Sequence, residues 1–209
     1  MPMLPNDLID IAHACQNALR PAADADWSVK AGTLDWDCRQ TLLHMVSAPM
    51  FYSINLAMRS TTPLRGLGVA SAETPIATLI ELAEYSSTIL ARLASEAPSD
   101  ARGCHPAGMA DTEGFLAMAG NELMNHAYDI TSGLNSPFAP PGELAEKVLR
   151  RLFPWSPRDT EPWPTLLWAA GRCNLPGHGS QEADWWVQCA PLSEWNGRIR
   201  KRAPAPPAR

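Results

Sequence analysis

The sequence predicts an all-α protein, a four-helix bundle followed by a short Trp-rich C-terminal extension. Three observations carry this. Four segments within the first 150 residues repeat apolar side chains at helical spacing. No strand-like alternation interrupts them, which favours helix packed on helix. After residue 153 the periodicity stops, and six of the eight tryptophans fall between Trp155 and Trp195 among many prolines and glycines.

The elements follow in order. The first helix is expected from Asn6 to Leu19, with Asn6 as N-cap and Leu8, Ile11, Ala12, Cys15 and Leu19 on one face. Pro21 ends it. The second begins near Asp35 or Asp37 and runs to Arg59, with a kink or break expected at Pro49. The third starts with Thr74 as cap and Pro75 at the first helical position, and Pro98 closes it. Residues 98–110 read as a loop. The fourth helix runs from Asp111 or Thr112 to Ser132, stopped by Gly133. A short fifth covers 142–153. Trp163 to Gly171 reads as one more short helix, and Trp185 to Cys189 as a short strand. The division is therefore 1–153 as the bundle, 154–197 as an extension packed on it, and 198–209 as a basic Pro/Ala-rich tail expected to be disordered.

Bulk composition narrows the function. The chain has 209 residues, 45% of them apolar, enough for a sizeable core. Its net charge is −5, and outside Arg198, Arg200, Lys201 and Arg202 the basic residues do not gather, so nucleic acid is not an expected partner. No run approaches the roughly 18 apolar residues of a membrane span. The first residues lack a signal-peptide pattern, so a cytoplasmic protein is expected. Five cysteines, an odd number without a C-x-x-C pair, argue against a disulfide framework or zinc ribbon. Three lysines against many Arg, Ala and Pro is the bias of a GC-rich bacterial genome.

Chemistry concentrates on the fourth helix. Phe115, Ala119, Glu122, His126 and Ile130 share one face, otherwise apolar. A glutamate there is costly unless paired or bound to a cation. Its i, i+4 spacing from His126 brings both within reach of one ion. A Glu–His pair can also simply hydrogen-bond. His44 adds weight, because it places an imidazole in the apolar second helix, although a lone histidine there is more often a satisfied core residue. Two imidazoles and a carboxylate suit zinc, and also nickel, iron or manganese. Asp129 is placed to orient a ligand histidine, or else to sit solvated at the helix end.

These residues resemble the DinB-like superfamily, and within it the mycothiol-dependent maleylpyruvate isomerase type. Trp36-Asp37-Cys38-Arg39-Gln40-Thr41-Leu42-Leu43-His44 is similar to the family's second-helix motif. Glu122-Leu123-Met124-Asn125-His126-Ala127-Tyr128-Asp129-Ile130 is similar to its Glu-x-x-x-His-x-x-Asp-Leu motif. The resemblance covers about the first 150 residues. It implies a bundle with a divalent metal, usually zinc, on His44, Glu122 and His126. It also implies a low-molecular-weight thiol (mycothiol, bacillithiol or glutathione) as cosubstrate. The chain departs from the pattern after residue 150, where such isomerases carry a longer domain.

The expected function is thus a metal- and thiol-dependent isomerase or S-transferase acting on a small electrophile. The alternatives are a thiol-independent metal enzyme (hydrolase, cyclase or isomerase) and a non-catalytic metal-binding stress protein. Arg172, Tyr52 and Trp168 are candidates for contacting substrate or thiol, and Tyr52, Tyr128 and Asp129 for proton transfer. Cys104-His105 and His178 are weaker candidates, and the C-terminal tryptophans read as plain packing or as an aromatic wall over the metal mouth. A homodimer is a further partner state that bundle proteins often adopt.

Overall fold

The first helix, α1, spans Pro5–Leu19. Leu4 takes the N-cap position, and its N–H donates to Asp7 Oδ2 at 2.6 Å. The helix so begins one residue before Asn6, which does not cap it. The computed structural model describes residues 1–64, 68–181 and 184–202.

Helix α2 spans Cys38–Ala57. Asp37 caps it by accepting the Gln40 N–H at 2.6 Å, and Gln40 Oε1 accepts the Asp37 N–H at 3.1 Å. This reciprocal box satisfies two backbone donors at the helix start. Of the kink or break expected at Pro49, the break does not occur: the helix runs through that residue. Proline removes a single helical hydrogen bond, and α2 is held along its length by the third and fourth helices.

Helix α3 spans Ile76–Glu96, with Pro75 at the N-cap. Thr74 instead accepts the Ser71 N–H at 3.0 Å and closes the preceding turn. The segment expected to be a loop then forms a hairpin. Strand β1, Arg102–His105, pairs antiparallel with β2, Gly108–Asp111. Its strands have four residues each and no apolar alternation, so nothing local announced them. Contact with α2 fixes them: a Cβ on Gly103 would lie 2.4 Å from the Asn55 carbonyl oxygen.

Helix α4, Thr112–Gly133, is the central element, buried on nearly every side. Asp111 caps it by accepting the Gly114 N–H at 2.9 Å. Gly133 is not the stop that was expected. It is the last helical residue, and a Cβ there would meet the Lys30 carbonyl oxygen at 2.2 Å. The chain turns two residues later at Asn135, with φ of 54°.

The four long helices pack around one core, α2 against α3 and α4, and α1 against α3 and α4. The protein is mostly helical, and among the described residues no helix is long and apolar enough to cross a membrane. Helices α5 (Gly142–Leu152) and α6 (Pro162–Ala169) pack on each other, and α5 rests on α4.

The rest of the Trp-rich segment folds back. The strand expected at Trp185–Cys189 is shorter: β3, Trp185–Trp186, pairs antiparallel with β4, Arg200–Lys201. Residues 198–202, expected as part of a disordered tail, thus include a paired strand, with Lys201 Nζ 2.8 Å from Asp184 Oδ1 and Arg202 stacked 4.9 Å from the Trp186 ring. Residues 203–209 lie outside the described residues. Buried Arg151 pins this segment. It donates to the Gln188 carbonyl at 2.8 Å and the Cys189 carbonyl at 3.2 Å, and pairs with Asp111.

Candidate metal centre

Helices α2 and α4 aim three side chains at one point. His44 Nε2 lies 3.1 Å from Glu122 Oε2, and His126 Nε2 lies 3.0 Å from the same oxygen. The ligand atoms of His44, Glu122 and His126 all fall within 4.8 Å of one another, close enough to hold a single metal ion. The i, i+4 spacing aligns Glu122 and His126, and the contact of α2 with α4 supplies His44. The donor set, two imidazole nitrogens and a carboxylate oxygen, fits a divalent first-row metal.

The surroundings favour the charged forms of Glu122 and His126. Burial pushes Glu122 up, but hydrogen bonds from His126 and His44 outweigh it and hold the carboxyl well below its usual range. Burial disfavours the His126 cation, yet hydrogen bonds to Asp129 and Glu122 raise its pKa. Asp129, buried to 1%, accepts from His126 Nδ1 at 3.1 Å and from Arg172 Nη2 at 3.1 Å, both on Oδ2. An imidazole held through Nδ1 presents Nε2 in a fixed direction.

Two cavities meet at His44 and Glu122. One, about 480 Å³, is bordered by Ala48, Met50, Phe51, Tyr52, Ile54 and His105. The other, about 380 Å³, has more polar residues around it and is bordered by Asn121, Asn125, His126, Arg172 and Arg202, with Trp36 and Trp185. Trp36 stands at its edge, its ring centroid 5.2 Å from that of His44. The loop before α2 carries it there by crossing the end of α4 near Gly133.

The other sequence candidates divide. Tyr52 borders the first cavity, its phenol raised well above its usual pKa by burial and by the nearby Glu122 charge. Arg172 borders the second. Trp168 does not belong to the site. It packs against Trp155 and His178, and its indole donates to the Gly179 carbonyl at 2.6 Å. Its eight-residue helix faces α5 rather than the centre. Tyr128 packs against Trp163. Cys104 and His105 are strand neighbours whose side chains point to opposite faces, so they form no nucleophile–base pair.

Sequence reasoning passed over Asn121, Asn125 and Arg202, gave Trp36 no role beyond a motif position, and weighed Trp185 with the other C-terminal tryptophans as packing or as an aromatic wall. Asn121 and Asn125 carried a faint signal, since two amides four apart on a buried helix ask for partners. Arg202 carried none.

Comparison with protein-family models, curated proteins and solved structures finds no match to this chain. The class of molecule is accordingly defined by fold and site: a mostly helical protein with a His–Glu–His group that could hold a metal ion.

Proposed function

We propose that the chain is a metal-dependent enzyme with a DinB-like four-helix bundle, of the mycothiol-dependent maleylpyruvate isomerase type. It uses a low-molecular-weight thiol to isomerise, or transfer sulfur to, a small electrophile. The observation that carries this is the convergence of His44 from α2 with Glu122 and His126 from α4 where two cavities meet. Two cavities touching one centre suit two reactants, a thiol and its electrophile.

His44, Glu122 and His126 would hold the ion. When bound, a divalent metal supplies Lewis acidity and keeps a coordinated thiol as thiolate near neutral pH. The chain's own residues do the rest. Asp129 orients His126. Arg172 is braced by its bonds to the Ala170 carbonyl at 2.8 Å and to Asp129, so its guanidinium borders the second cavity in a set position. With Arg202 it offers cationic donors to an anionic group on the substrate, or to a carboxylate where the thiol carries one.

The test is elemental analysis of untagged protein beside His44→Ala and His126→Ala. We expect about one equivalent of zinc or another first-row metal, lost in both variants with helicity retained on circular dichroism. Adding mycothiol to cobalt-substituted protein should then give a sulfur-to-cobalt absorption band. No band leaves a thiol-independent metal enzyme or a non-catalytic metal protein. A wild type that is metal-free and cannot be loaded makes the trio a polar core network and ends the proposal.

A further inference from the structure

The apolar cavity beside the centre contains a polar group that the proposed chemistry leaves unused. His105 closes β1, with its ring centroid 5.7 Å from that of Tyr52, 6.3 Å from Phe51 and 6.5 Å from Trp186. Its Nδ1 accepts the backbone N–H of Ala107 at 3.0 Å, across the Pro106–Ala107 turn of the hairpin.

That bond fixes the tautomer. A ring nitrogen that accepts an N–H carries no proton of its own, so the neutral imidazole holds its proton on Nε2. A second proton would set Nδ1–H against the Ala107 N–H. Burial also resists the charge, with repulsion from Arg200 adding to it and Glu122 opposing, and His105 is lowered to about 4. The ring is thus neutral near pH 7, and its Nε2–H has no acceptor among the described residues. Most of the neighbouring walls, Ala48, Met50, Phe51, Ile54 and Pro106, are apolar, and Ser47 and Tyr52 add hydroxyls. Among the described residues no Arg or Lys borders this cavity, whereas Arg172 and Arg202 border the other.

We propose that His105 is a fixed Nε2–H donor that selects, for this cavity, a small and mostly apolar molecule bearing one neutral carbonyl oxygen. A donor held in one direction on a mainly apolar wall matches a neutral acceptor placed opposite it, and an isostere lacking the oxygen leaves that donor unpaired. The inference rests on the metal-centre reading, because the same cavity opens onto His44 and Glu122.

The probes are acetophenone and ethylbenzene, which differ by a carbonyl in place of a methylene. They are titrated calorimetrically into protein of measured metal content. Acetophenone should bind about fivefold more tightly, the worth of a neutral hydrogen bond. His105→Gln, which keeps a donor, should retain the preference, and His105→Phe should lose it. Nitrogen NMR of the wild type, which needs no variant to fold, should show Nε2 protonated and Nδ1 bare at neutral pH. Equal binding of the two probes, binding of neither, a preference surviving in His105→Phe, or a protonated Nδ1 would each overturn the proposal. Failure of the metal reading appears separately, in the metal content.

Discussion

Asp129 shows how a single residue joins the site to the rest of the chain. A buried carboxylate is costly unless its charge is met, and Asp129 meets a histidine of its own helix and an arginine 43 positions later. Both bonds fall on one oxygen, so His126 and Arg172 share a single acceptor. Asp129→Asn keeps the shape but removes the charge that orients His126. Zinc affinity, read by chelator competition, should drop roughly 10- to 100-fold, while saturating zinc still loads the site. Unchanged affinity would reduce Asp129 to packing. His105 makes a second prediction at this scale. Its ordinary value is 6.5, and in the fold it lies at about 4. Between these values the unfolded chain takes a proton that the folded ring refuses. The fold therefore loses stability as pH falls from 6.5 to 4, and no more on this account below 4. The urea midpoint of the wild type should fall more steeply across that window than the midpoint of His105→Gln. Parallel curves would mean that His105 is not held neutral.

Among the elements, α4 and the hairpin set the geometry. Helix α4 can sit at the centre because small residues let neighbours approach closely. A Cβ on Gly114 would lie 2.1 Å from the Cys189 carbonyl oxygen, and one on Gly133 would collide with the Lys30 carbonyl. These contacts admit the returning C-terminal strand segment on one side and the Trp36 loop on the other. Gly103 does the same for β1, whose backbone lies against α2 at Asn55. Asn55 in turn binds Ser60 Oγ and the Leu64 N–H through Oδ1, at 2.6 and 3.0 Å, tying down the chain after α2. The hairpin thereby delivers His105 to the cavity wall without any pattern of its own.

Across the whole molecule, Arg151 links the halves. It is 1% exposed and joins α5, the cap residue of α4 and the carbonyls of Gln188 and Cys189. Removing one partner of such a buried cluster leaves the others without compensation. Arg151→Met keeps most of the volume and should cost roughly 3–5 kcal/mol in urea denaturation. Amide exchange at Gln188, whose N–H bonds the Leu152 carbonyl at 2.9 Å, should speed up alongside. A loss within experimental error would show that the C-terminal segment is held by its tryptophans instead.

The helices, to within a few residues, were determined by the sequence alone. Their signals are local: apolar spacing of 3.6, Asp37 with Gln40, Asp111 before Thr112, and prolines between segments. Glu122 and His126 were legible for the same reason, since four residues on one helix is a fixed distance. His44 was legible as an imidazole in an apolar helix, and the resemblance paired it with them. The tertiary structure alone decided what depends on distant approach. Trp36 reaches the centre on a loop, His105 arrives on a hairpin lacking alternation, and Arg202 arrives because Arg200–Lys201 pair with Trp185–Trp186 just before it. Trp168 leaves the site for the same reason, because α6 packs on α5. Short-range geometry follows from the order of residues in a segment. Which segments meet follows from shapes and buried charges that form only when the chain has closed.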